Sequence, residues 1–222
     1  MKLFISDFHM GSPLLKDIDK VIALFNLNSI EEIYMVGDIF DVWENDIDDI
    51  VAKYFYFIGA INNLKKPVYV IVGNHDPSLE KMRDIFYNQI VLNTLETEIC
   101  GKKALVTHGH EVDDIKEATR YIFFVQYYLE RFLRVNPKGK LRALWYKILK
   151  WKSGLKDTDL VLRIEKELYE LYRGKYDMII TGHTHIAKIV NKDDLVYVNT
   201  GCVLCKPTYI LFDNNVVTVE DL

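Results

Sequence analysis

The sequence predicts an α/β fold built as a sandwich of layered sheets. Two observations predict it. Short apolar runs alternate with amphipathic, helix-length stretches early in the chain, and the late part is mainly strand-like. A third observation places a site on that fold. Loops carrying His, Asp and Asn follow the strands directly, at the carboxyl ends where open α/β sheets bind ligands. With 222 residues, half of them apolar, the chain can form one substantial core. We read it as one domain over 1–222 with a helical insertion at 115–174.

The elements follow in order. Leu3 to Ser6 reads as a buried strand, and Asp7-Phe8-His9-Met10-Gly11-Ser12 as the loop after it. Pro13 is placed to open a helix running to about Asn28, with Ile18, Val21, Ile22 and Phe25 on one face. Glu31 to Val36 is the second strand, ended by Gly37-Asp38-Ile39-Phe40-Asp41. Asp48 to Leu64 reads as one helix, preceded by an acidic run that suits a helix start. Pro67 precedes a third strand, Val68 to Val72, and the loop Gly73-Asn74-His75-Asp76-Pro77. A short helix to about Phe86 is followed by strands near Ile90–Leu92 and Thr97–Ile99. Lys103 to Thr107 is a strand ending in His108-Gly109-His110, and a long helical region runs from Ile115 to Gly174. Met178 to Thr181 ends in Gly182-His183-Thr184-His185, and strand-like runs at Ala187–Asn191, Leu195–Asn199, Tyr209–Phe212 and Val216–Val219 complete the chain.

Bulk properties narrow the function. A net charge of −4 provides no general attraction to nucleic acid. No apolar run approaches the ~20 residues of a spanning helix. Met1-Lys2 leads straight into Leu3-Phe4-Ile5, which leaves no room for a secretory leader. Three cysteines, Cys100, Cys202 and Cys205, imply no disulfide framework, and Cys202-Val-Leu-Cys205 lacks a partner pair for zinc. The expected location is cytoplasmic, peripheral on the inner face of the membrane.

All 6 histidines, His9, His75, His108, His110, His183 and His185, lie in strand-end loops, and Asp7, Asp38, Asp41 and Asn74 share those loops. One such histidine is ordinarily a surface or satisfied core residue. The whole set in one kind of loop points to a common site. Mixed His, Asp and Asn donors without cysteine suit Mn²⁺, Fe or Zn²⁺. They are too many for one tetrahedral ion, whereas two ions sharing a carboxylate would use them all. Such a pair generates hydroxide near neutral pH and offsets charge in an in-line displacement at phosphorus.

Asp7-x-His9, Gly37-Asp38-x-x-Asp41, Gly73-Asn74-His75-Asp76, His108-Gly109-His110 and Gly182-His183-x-His185 resemble, in order, the signature blocks of the calcineurin-like metallophosphoesterases. The resemblance implies a four-layer α-β-β-α sandwich and a hydrolase of phosphoester or anhydride bonds with two divalent metal ions, Mn²⁺ first. It assigns Asp7, His9 and His185 to one ion, Asn74, His108 and His183 to the other, and Asp38 to both. His75 resembles the histidine that faces substrate, Asp41 the carboxylate that orients it, and His110 lies behind the ligands. None of these ligands is missing, which argues against an inactive scaffold on the same fold. Val42 stands where the protein phosphatases of the wider family carry arginine, which argues against a phosphoprotein substrate.

The insertion bears on the substrate. Arg131 to Lys156 holds nine Lys or Arg and no Asp or Glu, leaving −13 on the rest of the chain. Leu141, Leu144, Trp145, Ile148 and Leu149 recur at helical spacing among Lys140, Arg142, Lys147, Lys150 and Lys152, as in a membrane-surface helix. Trp145, Lys147 and Lys150 are the candidate substrate contacts. With Asp38-Ile39-Phe40-Asp41-Val42-Trp43, this stretch resembles the UDP-2,3-diacylglucosamine pyrophosphatase branch, peripheral membrane enzymes of lipid A biosynthesis. That implies a nucleotide-lipid substrate and membrane contact through 131–156. The branch carries Arg where this chain has His75 and Asp where it has His110. A phosphodiesterase, nucleotidase or nuclease on a soluble nucleotide or nucleic acid is the alternative, with nucleic acid disfavoured by the surrounding acidity.

Overall fold

The structure, a computed structural model, describes residues 1–16, 18–43, 45–113, 161–204, 207–213 and 216–222. They fall into two compact units, 1–111 with 172–222, and 112–171. In chain order the first half contains β1 (Lys2–Ile5), α1 (Ile18–Phe25), β2 (Glu32–Val36), α2 (Ile47–Lys53), α3 (Phe55–Asn62), β3 (Val68–Ile71), α4 (Leu79–Ile85) and β4 (Ile90–Leu92). Then come β5 (Thr94–Ile99), β6 (Lys102–Thr107), a 3₁₀ turn (His110–Val112), β7 (Met178–Thr181), β8 (Lys188–Lys192), β9 (Leu195–Asn199), β10 (Thr208–Asp213) and β11 (Val216–Asp221).

In the first unit the strands form two sheets, ordered β11-β10-β1-β2-β3-β4 and β5-β6-β7-β9-β8. β1 to β4 are parallel, as are β6, β7 and β9. The strands of the larger sheet read as continuous apolar runs because both faces are covered. Alternate side chains go opposite ways. Leu3, Ile5, Ile33, Met35, Val68 and Val70 join a core shared with Val21, Phe25, Phe57, Ile61 and Met82 of the helices. Phe4, Tyr34, Val36 and Ile71 pack with Ala104, Val106, Ile180 and Val198 of the other sheet. Burying each such side chain contributes roughly 1.5–3 kcal/mol. Two sheets face to face, with helices on the outer face of the larger one, make the mixed α/β sandwich.

Two helices differ from expectation. The segment from Pro13 is turn rather than helix, because Ser12 captures its amides: the Leu14 N–H donates to Ser12 Oγ and the Leu15 N–H to Ser12 O. The periodic helix therefore starts only at Ile18 and stops at Phe25. The stretch expected as one helix over 48–64 is broken at Tyr54, whose φ of −109° and ψ of 22° cap α2 and open α3. Tyr54 is buried at that break. The acidic run does start α2, with Asp46 accepting from the Asp48 N–H.

In the second unit the chain is helical from 161 to 171, with Val161, Ile164 and Leu168 buried at helical spacing. Residues 115–160 of the expected insertion, with Trp145, Lys147, Lys150 and the whole basic stretch 131–156, lie outside the described residues, as does Cys205. Among the described residues no helix is long and apolar enough to cross a membrane.

Candidate metal centre

Each candidate side chain leaves the carboxyl end of a parallel strand. Asp7 and His9 follow β1, Asp38 and Asp41 follow β2, Asn74 and His75 follow β3, His108 follows β6, and His183 and His185 follow β7. Backbone bonds continue the β1–β2 pairing into the loops, from the Asp7 N–H to Gly37 O and from the His9 N–H to Asp38 O, both at 3.0 Å. Asp7, His9, Asp38, His183 and His185 all have positive φ, between 47° and 67°. A left-handed conformation costs a non-glycine residue about 1–2 kcal/mol. Five such residues in one small region mark it as a site.

The donors converge. Asp7, His9 and His185 form one group whose ligand atoms lie within 4.8 Å of one another, and Asp38, His108 and His183 form another. A third group, His9, Asp38 and His75, lies within the same limit. His185 Nε2 is 3.0 Å from Asp7 Oδ1 and 3.3 Å from His9 Nε2, and His108 Nε2 is 3.2 Å from Asp38 Oδ2. Ligand atoms about 2.1 Å from one cation stand about 3.0 Å apart at right angles and about 3.4 Å apart tetrahedrally. Asp7 Oδ1, Asn74 Oδ1 and His108 Nε2 are buried with no hydrogen bond, even though Asp7 Oδ1 and His108 Nε2 have those close neighbours. Buried donor atoms gathered around common points, three of them without a hydrogen bond, fit divalent cations.

The neighbouring groups leave one face of each ligand open. Asp7 Oδ2 accepts from Ser6 Oγ and from the His183 N–H, so Oδ1 is the oxygen turned to the histidines. Ser6 Oγ also meets Thr200 Oγ1 at 2.6 Å. Asp38 Oδ1 accepts the His75 N–H at 2.8 Å, while Oδ2 lies 3.7 Å from His9 Nε2 and 3.2 Å from His108 Nε2, facing both groups. His108 Nδ1 bonds Val36 O at 2.9 Å, which frees Nε2 for a metal. His75 Nδ1 is 3.0 Å from Asp41 Oδ1. The His110 ring stands 5.5 Å from that of His108 and 6.4 Å from that of His183.

Asp76 gained little weight from sequence because an Asp before proline is an ordinary turn residue. In the structure it is buried and accepts from the Phe40 N–H at 2.7 Å and the Gly73 N–H at 2.8 Å, tying the second loop to the third. Ser6 was equally illegible, since a lone hydroxyl at a strand end carries no periodic or motif signal, whereas Asn199-Thr200-Gly201-Cys202 resembles the family's loop after a late strand, which borders the site. Glycine is required where backbones crowd. A Cβ at Gly37, whose φ is +85°, would lie 2.3 Å from His108 Nδ1, and one at Gly73 would lie 2.2 Å from Asp38 Oδ1. Gly73→Ala therefore displaces Asp38. The expected result is bound metal falling below the wild-type content and a stability loss of about 1–3 kcal/mol, read by elemental analysis and thermal melting.

Electrostatics follow the same geometry. Burial by itself raises the Asp7 carboxyl, but His185, His9 and His108 outweigh it and hold it well below the usual range. Asp38 is likewise lowered, with burial overcome by His108, His75 and His9. Burial lowers His108, but Asp38 and Asp7 prevail and raise it to about 9. Burial and the Asp38 charge raise Asp76 to about 7, against its two backbone donors. In the metal-free protein the raised His108 contributes stability that is complete below its unfolded pKa of 6.5 and is lost as pH rises through about 9. Asp76 has lost its contribution by about pH 7, and those of Asp7 and Asp38 are lost only in acid. Metal-free protein is therefore expected to melt lower at pH 9.5 than at pH 7, by a stability difference on the order of 2–3 kcal/mol. A flat melting profile across that window would contradict the coupling of His108 to Asp38.

Residues 3–187 match the family model described as calcineurin-like phosphoesterase. The chain belongs to the calcineurin-like phosphoesterase family. Among curated relatives, UDP-2,3-diacylglucosamine hydrolase of a Shewanella species is 31% identical over 128 residues, covering 52% of this chain and 50% of that one. The chain thus spans about half the length of that relative. The same-named protein of Vibrio atlanticus is 26% identical over 194 residues, covering 82% of this chain and 79% of its own. In fold, the chain is similar to a novel archaeal phosphodiesterase, with a TM-score of 0.55 at 20% identity over 100% of this chain and 99% of that one. The E. coli phosphoesterase Yfce also gives 0.55, at 16% identity over 99% and 92%.

Proposed function

We propose that this calcineurin-like phosphoesterase is a divalent-metal-dependent hydrolase of phosphoester or pyrophosphate bonds. The observation that carries the reading is the pair of donor groups, Asp7, His9, His185 and Asp38, His108, His183, with Asp38 Oδ2 turned toward both. Asp7, His9, His185 and Asp38 would hold one cation, and Asp38, Asn74, His108 and His183 the other. When bound, such cations supply Lewis acidity toward phosphoryl oxygens and make water acidic enough to deprotonate near neutral pH. The mixed donor set suits Mn²⁺, with Fe or Zn²⁺ as close alternatives.

The chain's own residues do the rest. His75 is half-buried at the edge of the centre, with Asp41 on Nδ1, so Nε2 is the nitrogen available to a leaving oxygen. In the metal-free protein burial lowers its pKa, but Asp38 and Asp41 outweigh this and raise it; a ring in this place can supply a proton to the departing oxygen. The His110 ring lies beside those of His108 and His183.

For substrate we propose a nucleotide-linked lipid of the UDP-2,3-diacylglucosamine kind, with 115–174 as the lid and 131–156 as the membrane-facing stretch. The relatives' names support the first part, and the nine uncompensated cations of 131–156 support the second. A soluble nucleotide phosphodiester is the second reading, favoured by His75 and His110 standing where that branch has Arg and Asp. Hydrolysis of bis-p-nitrophenyl phosphate with and without Mn²⁺ tests the reaction class, and absence of metal-dependent turnover counts against it. A panel of UDP-linked lipid and simple nucleotides, run with and without anionic liposomes, tests the substrate. The lipid is expected to turn over fastest and to respond to liposomes. Activity confined to soluble nucleotides favours the second reading.

A further inference from the structure

We propose that Trp43 is a positioning residue for His75, its indole face setting the angle at which the imidazole meets the leaving oxygen. The inference rests on the role proposed for His75. Trp43 lies two residues beyond Asp41, and its ring stacks on His75 with centroids 3.8 Å apart and planes 22° from parallel. The indole Nε1–H donates to Asn74 O at 2.8 Å, the carbonyl just before His75. The same short segment holds His75 twice more: the Val42 N–H donates to His75 O at 3.0 Å, and Asp41 Oδ1 meets His75 Nδ1 at 3.0 Å. The imidazole also meets the His9 ring edge-on, at 4.8 Å and 81°.

The bond to Asp41 fixes one ring nitrogen and leaves the ring free to tilt about it. A tilt of roughly 25° about Nδ1 moves Nε2, about 2.2 Å away, by about 1 Å, and a misplacement of that size can cost ~10²-fold in rate. A flat indole against the imidazole face removes that tilt. Trp43 is half-buried and belongs to neither of the two apolar cores, so its large ring is not there to fill the interior. The segment after β2 thereby orients His75 by its carboxylate and by its indole together.

The test uses the full chain, wild type, Trp43→Leu and Trp43→Phe, metal-free and Mn²⁺-loaded. In the metal-free wild type, ring-current shielding moves the His75 ring protons, assigned against His75→Gln, upfield. The shift is expected to vanish in Trp43→Leu and to persist in Trp43→Phe. In the loaded enzyme, two phosphodiesters are compared that differ only in having a p-nitrophenolate or an alkoxide leaving group. Trp43→Leu is expected to lose about 10–100-fold in kcat on the alkyl ester and less than about threefold on the aryl ester, whose leaving group needs no proton. Metal content is unchanged, and Trp43→Phe recovers most of the loss. Equal losses on both esters, intact alkyl turnover, or unshielded His75 protons in the wild type overturn the proposal, and the last needs no variant to fold. If the wild type hydrolyses neither ester, the phosphodiesterase part of the proposed function fails, and the shielding in the metal-free protein still decides whether Trp43 holds His75.

Discussion

Asp38→Asn is expected to lower kcat by at least ~10³-fold, about 4 kcal/mol of transition-state stabilisation, and to reduce bound metal below two ions per chain. The amide is nearly isosteric, so the effect isolates charge. Asp38 is buried and its Oδ2 faces both His9 and His108. An amide there offers a neutral oxygen or, if flipped, N–H donors that repel a cation. The substitution also removes the negative charge that most raises His108, so the His108 pKa falls from about 9 toward its ordinary value. That shift, followed by NMR in the metal-free variant, checks the geometry independently of turnover. A variant retaining two ions and a tenth of wild-type kcat would remove Asp38 from the shared position.

His75→Ala is expected to keep the metal and lose about 10²–10³-fold in kcat on a substrate with a poor leaving group. The ring sits outside the two groups assigned to the cations, and its backbone N–H, which the substitution spares, holds Asp38 Oδ1 at 2.8 Å. Its removal therefore subtracts a proton donor without dismantling the centre. His75 also lies within ligand range of His9 and Asp38. Loss of one bound ion in His75→Ala would make it a ligand, whereas unchanged turnover would take it out of the mechanism.

Much of the fold was readable because its signals are local. β7 and β9 have the bounds that apolar run and following loop implied, Met178–Thr181 and Leu195–Asn199. Errors arose where a side chain overrode a pattern. Ser12 captured two amides and delayed α1, and a buried Tyr54 interrupted an otherwise continuous helical stretch. Neither competition leaves a trace in periodicity, since each depends on what the segment packs against.

By itself the sequence determined which His, Asp and Asn side chains stand in strand-end loops as candidates, because a strand, a tight exit and a ligand-type residue are neighbours along the chain. Tertiary structure alone decided which of them face one another. Asp7 and His185 are 178 positions apart in number yet 3.0 Å apart in space, a distance set by two sheets packing face to face. That packing also chose which oxygen of Asp38 faces the histidines, laid Trp43 on His75, and made Asp76 a buried tie between loops. Such contacts join segments brought together only when the core closes, so no local pattern of residues encodes them.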